Sequence, residues 1–346
     1  MPWVCIRDQG PLQPAADGAS RCARCGRSYR QFDGIPIFPG DGAEAERAAR
    51  RPPALEELLR WMRERGAAEA AETFCRRQRC SRRRFTTDWK FFLPCLPDGR
   101  VLELGAGYGD DTVDLSETAA ATASLVPQLG NALIVQQHLR ERRRSNVAVA
   151  VVPSLAALPL ADSSFNAIGL EDAAAASFGL CSRTLAAAAA EWQRVLVPGG
   201  TLILGLSNPL HLPRAWTAPL VGDREPCPSL NRVIKQASAS GPAWSLGLGR
   251  TLRCLRRRGF SQLRLHAPLP DQDDTKIVIP LADAALIRHS LHNQARRNSV
   301  LVRAALGLGG LAAELHLLQR LLPYYFVVAT RSAAGRGAGE PVPVQN

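Results

Sequence analysis

Short apolar runs alternate with longer amphipathic runs through the middle of the chain, between residues 98 and 207. Runs of four to eight apolar residues are typical of buried strands, whereas apolar positions three and four apart are typical of helices. The pattern predicts strands over 101–104, 121–126, 146–152, 165–170 and 201–206, and helices over 112–120, 130–144 and 174–196. Because strands that alternate with helices form parallel sheets with right-handed crossovers, the expected fold class is α/β.

The first predicted strand runs into a glycine-rich turn, in the segment VLELGAGYGDD at 101–111. Gly105, Gly107 and Gly109 allow the backbone to turn sharply and to approach a ligand without interference from a Cβ atom. In parallel sheets, ligands bind outside the carboxyl ends of the strands, which is where this turn lies. The dinucleotide fingerprint G-x-G-x-x-G does not fit, because its third glycine would fall on Asp110. A tight turn without a ligand is the alternative interpretation.

Two later segments strengthen the cofactor interpretation, namely ALPLADSSFNAIGLED and EWQRVLVPGGTLILGLSNP. Together with the glycine turn they resemble, in order and spacing, the E-x-G-x-G-x-G, LPF-x-D-x-SFD and RVLKPGG segments of class I, Rossmann-like, S-adenosylmethionine-dependent methyltransferases. The resemblance covers roughly 98–331 and implies a mostly parallel seven-stranded sheet with helices on both faces. It also implies that the last two strands lie in GFSQLRLHAPLP and PYYFVVATR.

The resemblance implies S-adenosylmethionine as the cofactor and assigns its binding to one group of turn residues. These residues are Glu103, Gly105, Ala106, Gly107 and Gly109.

Three other positions, all expected to face the ligand, depart from the family pattern. The acid that binds the ribose is missing after the second strand, where Gln128 is the nearest polar residue. The acid that binds adenine aligns with Ser154, and the aspartate of the SFD segment is Asn166. A charge-assisted hydrogen bond contributes roughly 1.5–3 kcal/mol, so losing two would weaken cofactor binding about a hundredfold or more. An active methyltransferase and a non-catalytic relative that serves as a binding or scaffold subunit are both open.

Methyl transfer needs alignment of two reactants and at most one group that accepts a proton. The candidates are His211 after the fifth predicted strand, His266 near the end of the sixth, and Glu171 after the fourth. Each could equally be a solvated or structural residue. The resemblance is greatest to bacterial methyltransferases associated with surface polysaccharides or glycoconjugates, which implies a small-molecule or glycan-type acceptor.

The N-terminal segment carries four residues with the spacing of metal ligands: Cys5, Asp8, Cys22 and Cys25. Zinc ribbons pair two C-x-x-C knuckles because tetrahedral zinc takes four donors, and a carboxylate can replace one thiolate. The segment resembles a zinc-ribbon-like leader that precedes some of these methyltransferases. A zinc site with three cysteines and one aspartate and a metal-free remnant of the ribbon are both open.

The composition divides the chain into four parts. They are a leader at 1–40, a helical linker at 41–97, a methyltransferase-like domain at 98–331 with cap segments near 208–258 and 268–323, and a disordered tail at 332–346. The tail is expected to be disordered because it is rich in Gly and Pro.

The net charge of +12 is weak evidence for a nucleic-acid partner. Only three of the 43 basic residues are lysine, and the high arginine content indicates a coding bias. The basic runs lack the aromatic residues on which bases stack, which disfavours a nucleic-acid partner. No apolar run has the length of a signal peptide or a membrane span. Nine scattered cysteines suit reduced thiols, so a cytoplasmic location is expected. The sequence does not indicate an oligomeric state.

Overall fold

The computed structural model describes part of the chain. The described residues are 3–16, 18–38, 53–70, 73, 88–93, 98–107, 109–207, 247–269, 277–287, 289 and 324–333. His211, much of both predicted cap segments and most of the tail lie outside these residues.

An eight-stranded sheet organises the chain, in the order β12-β11-β13-β10-β9-β6-β7-β8. Its strands are β6 (Arg100–Leu104), β7 (Ala121–Val126), β8 (Val147–Val151), β9 (Phe165–Leu170), β10 (Leu196–Ser207), β11 (Phe260–Leu269), β12 (Ile277–Pro280) and β13 (Tyr324–Arg331). Neighbouring strands in the series β8, β7, β6, β9 and β10 pair in parallel. Strand β13 runs antiparallel to both β10 and β11. The predicted α/β class and mostly parallel sheet are confirmed. The predicted number of seven strands was wrong, because β12 arises from a segment assigned to the cap.

The described helices lie on both faces of this sheet. They are α1 (Pro53–Arg65), a 3₁₀ helix (Asp88–Phe92), α2 (Asp110–Thr118), α3 (Leu129–Glu141), α4 (Asp172–Ser177), α5 (Leu185–Val195) and α6 (Leu248–Arg257). The single helix predicted over 174–196 is divided in two. Gly179 takes a left-handed φ of 65°, a conformation typical of the residue that ends a helix. None of these helices has the length and apolar character needed to cross a membrane.

Strand β6 is buried from both sides and forms the centre of the fold. Leu102 and Leu104 pack into the core on one face, and Val101 packs with Leu115 and Trp89 on the other. Burial on both faces explains why the strand is almost continuously apolar in sequence. The carboxyl end of β6 therefore emerges at a fixed position between the ends of β7 and β9.

The leader folds as short strands that cover the open edge of the sheet. They are β1 (Leu12–Pro14), β2 (Ser20–Cys22), β3 (Ser28–Tyr29), β4 (Gln31–Phe32) and β5 (Ile35–Pro36). Ile37 forms a parallel bridge with Val151 of β8, and the Phe38 N–H donates to the Val151 carbonyl at 2.9 Å. An exposed edge strand invites pairing with another chain, so this leader protects the edge.

Candidate functional site

The glycine turn follows β6 and leaves one of its three glycines open to a ligand. A Cβ atom at Gly105 would lie 2.2 Å from the Cβ of Ala174, and one at Gly109 would lie 3.1 Å from the Cα of Val135. A Cβ at Gly107 would meet no described atom within 4 Å, although its φ is also positive, at 52°. The outer two glycines are therefore needed for packing, whereas Gly107 borders open space at the carboxyl edge of the sheet.

Glu103, the acid that precedes this turn, is buried and fixes the geometry of the turn. Its Oε2 accepts a hydrogen bond of 2.6 Å from the Thr112 hydroxyl and one of 2.8 Å from the Ser124 hydroxyl. These bonds connect the end of β6 to α2 and to β7. Only 3% of Glu103 is exposed. Its buried carboxyl group therefore links β6, α2 and β7.

Burial, and after it the nearby carboxylate of Asp111, raise the pKa of Glu103 to about 7. The hydrogen bonds from Thr112 and Ser124 oppose this rise, because they stabilise the ionised form. The carboxyl group of Glu103 therefore titrates near neutral pH rather than near pH 4.5.

A partly buried group of ion pairs lies beside this carboxyl group. Lys90 of the 3₁₀ helix places its Nζ 2.9 Å from Asp111 Oδ1 and 2.5 Å from Asp114 Oδ2. Burial lowers the pKa of Lys90, but the two carboxylates raise it above its usual value. Lys90 therefore stays charged and attaches the end of the linker to α2.

The other predicted cofactor residues also lie at carboxyl ends of strands. Gln128 is half-buried at the start of α3, directly after β7. Ser154 follows β8, and its hydroxyl accepts the Ala156 N–H at 3.3 Å. Because β6, β7 and β8 are neighbours, the structure brings Gly107, Gln128 and Ser154 to one edge of the sheet.

Asn166 does not belong to this group, and the expectation that it faces the ligand was wrong. It lies near the amino end of β9, where its Oδ1 accepts the Arg100 N–H at 2.9 Å. This bond joins two strands at the edge opposite the glycine turn. Asparagine in place of aspartate there leaves the cofactor site unchanged.

The described proton-acceptor candidates lie in different places. Glu171 directly follows β9, the strand next to β6. His266 lies on β11, which is four strand spacings, or roughly 19 Å, from β6. Burial and Arg264 lower the pKa of His266 to about 4, and its ring packs 4.6 Å from that of Phe92. His266 is therefore a neutral core residue near the opposite end of the sheet.

Asn131 is a polar residue of this region that the sequence analysis missed. It is 2% exposed in the first turn of α3, and its Nδ2 donates to the Gly107 carbonyl at 3.4 Å. Its Oδ1 is buried and has no hydrogen-bond partner among the described residues. The sequence offered one signal that Asn131 belongs to this region. It lies three residues after Gln128, and this spacing is about one helical turn.

The four predicted metal ligands of the leader lie together. The ligand atoms of Cys5, Asp8, Cys22 and Cys25 are all within 4.8 Å of one another. The Cys5 and Cys25 sulfurs are 3.6 Å apart, and the Cys22 sulfur is 3.3 Å from Asp8 Oδ1. Zinc–sulfur bonds of about 2.3 Å in a tetrahedron place sulfurs less than 4 Å apart, so the donor set fits a zinc ion.

The surrounding backbone supports these donors. The N–H groups of Arg24 and Cys25 point at the Cys22 sulfur at 3.4 and 3.5 Å, and the Gly10 N–H holds Asp8 Oδ1 at 2.9 Å. A Cβ atom at Gly10 would lie only 2.7 Å from the Cys22 sulfur, so the chain needs glycine there. Such secondary contacts orient metal ligands in proteins.

The acidities of these donors reflect how closely they are placed. The Gly10 N–H lowers the pKa of Asp8 to about 2. An N–H from Arg27 lowers the pKa of the Cys25 thiol, but burial and the adjacent Cys5, Cys22 and Asp8 raise it to about 11. A divalent cation would reverse the effect on Cys25 by stabilising its thiolate.

Comparison with known proteins gives one family match. Residues 102–204 match the family described as "Methyltransferase domain". This segment runs from β6 to β10 and so contains the glycine turn and the ends of β7, β8 and β9. No curated protein sequence matches the chain.

Solved structures with a similar fold are distant in sequence. The [4+2]-cyclase SpnF is 18% identical, with 73% of this chain and 81% of that chain covered and a TM-score of 0.42. A phosphoethanolamine N-methyltransferase of Haemonchus contortus is 13% identical, with 73% and 53% covered and a TM-score of 0.43. A S-adenosylmethionine-dependent methyltransferase of Thermotoga maritima is 15% identical, with 81% and 100% covered and a TM-score of 0.41. These likenesses are too distant to indicate a substrate.

We expect Glu103→Gln to remove one component of the pH dependence of stability. A carboxyl group whose pKa is raised in the folded state stabilises the protein fully below its unfolded value, near 4.5, and this contribution is lost as pH rises to about 7. The free energy of unfolding of the parent protein should therefore fall by up to about 3 kcal/mol between pH 4.5 and 8 relative to the variant. Urea unfolding at several pH values measures this difference.

Glu64→Gln, on an exposed part of α1, is the matched control and should keep the parental pH dependence. An unchanged pH dependence in Glu103→Gln would show that Glu103 does not titrate near pH 7.

Proposed function

Because residues 102–204 match the methyltransferase-domain family, we propose that this protein transfers the methyl group of S-adenosylmethionine to a small-molecule or glycan-type acceptor. The observation that carries the proposal is the open glycine turn. Gly107 borders free space at the carboxyl end of β6, where ligands of parallel sheets bind. The resemblance of the sequence motifs to class I methyltransferases agrees with this family match.

Neutral side chains would hold the cofactor. The half-buried Gln128 would meet the ribose hydroxyls, and Ser154 would meet the adenine, in place of two acids. A neutral hydrogen bond contributes about 0.5–1.5 kcal/mol, roughly half of a charge-assisted one. Cofactor binding should therefore be weaker than with two acids, but the glycine turn keeps the backbone conformation that leaves Gly107 accessible.

S-adenosylmethionine supplies an electrophilic methyl group and its own leaving group. An oxygen or nitrogen of the acceptor would form the new bond to the methyl carbon as the carbon–sulfur bond breaks, and the electron pair of that bond stays on sulfur. The acceptor then loses its proton. Glu171 follows β9, next to β6, and is the described candidate best placed to accept that proton. His266 is too far across the sheet for this role.

The proposed acceptor class rests on the resemblance of the sequence to glycoconjugate-associated methyltransferases.

The alternative function is that of a non-catalytic relative with weakened cofactor binding. Measurement of S-adenosylmethionine binding distinguishes this alternative from an active methyltransferase.

We expect Gly107→Val to abolish cofactor binding. The valine side chain would occupy the open space beside the turn, which the cofactor needs. Titration of the purified protein with S-adenosylmethionine by calorimetry should give micromolar binding for the parent protein and at least a hundredfold weaker binding for the variant.

Gly199→Val is the matched control, because Gly199 also has a positive φ, of 80°, and open space around it. Gly199 lies before Thr201 in β10, at the amino ends of the parallel strands and therefore far from the glycine turn. The Gly199→Val variant should keep parental affinity. Absence of binding by the parent protein at millimolar cofactor would overturn the enzyme proposal.

A second variant, Gln128→Glu, tests the assignment of the ribose site. A carboxylate in place of the amide should tighten S-adenosylmethionine binding three- to tenfold, because charge-assisted bonds to the ribose hydroxyls would replace neutral ones. Gln13→Glu, in the exposed strand β1, adds the same charge elsewhere and should leave the affinity unchanged. Unchanged affinity in Gln128→Glu would remove Gln128 from the site.

We also propose that Cys5, Asp8, Cys22 and Cys25 bind a structural zinc ion. The proximity of four donor atoms carries this proposal, and the buried thiols of Cys5 and Cys22 belong to the core cluster of the domain. A site with four protein ligands is closed and leaves no position for a substrate. The metal would therefore hold the leader against β8.

Metal analysis of protein purified without added zinc should find about one equivalent. Cys22→Ser should lower the content below a fifth of an equivalent and reduce thermal stability, because metal binding contributes to folding. Cys181→Ser, which changes a free thiol of the loop between α4 and α5, should keep the full equivalent. Less than a tenth of an equivalent in the parent protein would support the metal-free ribbon instead.

A further inference from the structure

Helix α6 has an arginine-rich outer face that the methyl-transfer site does not explain. Thr251 and Leu255 are fully buried beneath it. Arg250, Arg253 and Arg257 lie three and four residues apart and are exposed, so they share the opposite face of the helix. They span about 10 Å along the helix axis.

These arginines line a cleft between α6 and α5. The cleft has a volume of about 500 Å³ and is lined by Ala186, Arg250, Arg253, Cys254, Arg257 and Arg258. Small-molecule sites usually measure roughly 300–1,000 Å³, so the cleft has room for a ligand. None of its lining residues belongs to the glycine turn or to the ends of β7 and β8. It is therefore separate from the proposed cofactor site.

The positive charge of the cleft is not neutralised by any acidic side chain in the described part of the chain. No ion pair joins Arg250, Arg253, Arg257 or Arg258 to a described carboxylate, and the one described side-chain bond among them is from Arg253 Nε to the Gly249 carbonyl. In contrast, Arg194 of α5 lies 2.7 Å from both Asp162 and Glu191.

The thiol in the cleft does not supply a negative charge either. Burial raises the pKa of Cys254, although Arg257 and Arg258 lower it in part, and the net direction is upward. The thiol is therefore neutral at physiological pH. Four guanidinium groups on one concave surface give the cleft a positive charge that no described carboxylate compensates, and an anionic ligand would balance it.

The chemistry of arginine favours phosphate groups as that ligand. A guanidinium group presents parallel N–H donors that match two phosphate oxygens, and it remains charged at all physiological pH values. Arg250 and Arg257 lie about 10 Å apart along the helix, which is farther than one phosphate group spans, so adjacent phosphates fit better.

Two macromolecular ligands fit less well. A membrane-bound helix inserts large apolar residues, but α6 buries its apolar face, and none of the exposed large apolar residues of the described chain lies on it. A single-stranded nucleic acid needs aromatic side chains for stacking, and none lines the cleft.

We propose that this cleft is a second ligand site, which binds a small molecule that carries two or more adjacent phosphate groups. The site lies apart from the glycine turn, so the proposal does not depend on methyl transfer. A diphosphate or triphosphate group would contact guanidinium groups of Arg250, Arg253 and Arg257 along the helix.

Calorimetric titration of the full chain with inorganic phosphate, pyrophosphate and tripolyphosphate at 150 mM salt tests this proposal. We expect affinity to rise at least tenfold from phosphate to tripolyphosphate. The double variant Arg253→Gln/Arg257→Gln should weaken tripolyphosphate binding at least tenfold. Arg253→Lys/Arg257→Lys keeps the charge but loses the paired donors, so it should weaken binding three- to tenfold.

The control is Arg63→Gln/Arg65→Gln, which removes the same charge from exposed positions of α1. It should change tripolyphosphate affinity less than twofold. Equal weakening by both glutamine double variants would show nonspecific attraction and overturn the proposal. Failure of tripolyphosphate to bind the parent protein below 1 mM would also overturn it.

Titration with a 20-base-pair RNA duplex distinguishes the source of the phosphates. If the duplex binds through Arg253 and Arg257 and tripolyphosphate does not compete with it, a nucleic-acid backbone is the ligand and the small-molecule proposal is overturned. S-adenosylmethionine titrated into the same double variant should bind as in the parent protein. This titration distinguishes a loss of phosphate binding in the cleft from a loss of cofactor binding at the glycine turn.

Discussion

The parallel pairing of β6 with β7 and β9 is the constraint on which the rest of the structure depends. Because β6 is covered on both faces, its backbone groups can be satisfied only by neighbouring strands, and its end can leave the sheet only at the carboxyl edge. The glycine turn must form there. Glu103 then joins that turn to β7 and α2 through a single buried carboxyl oxygen, so the edge is held before any ligand arrives.

The leader and the proposed cofactor edge share one strand. Val151, the last residue of β8, pairs with Ile37, and Ser154 follows three residues later. Phe38 and Tyr29 of the leader lie in the same core cluster as Leu155. The leader therefore packs against the same part of the core as the loop that would face the adenine. The arginine cleft lies in the helix layer beside β11, and Cys254 of its lining packs against the same core cluster.

The sequence predicted those features that depend on local pattern. The strands over 121–126 and 165–170 have the predicted bounds, and the four leader ligands lie together as their spacing indicated. The helix break at Gly179 was not predicted. The alanine-rich segments on both sides of Gly179 have the composition of one continuous helix. The contact of Trp89 with Gly169, whose added Cβ would lie 2.4 Å from the indole ring, joins distant residues and leaves no periodic signal.

The bridge between Ile37 and Val151 also has a consequence for biosynthesis. More than a hundred residues separate the two partners, so Ile37 leaves the ribosome long before the strand that it will cover exists. Pairings this distant in sequence form slowly, because a long loop must close before any contact is gained. The leader must therefore stay ordered or protected by its own short strands while the sheet is synthesised. The zinc ion proposed for Cys5, Asp8, Cys22 and Cys25 would give this segment of about forty residues a means of folding first.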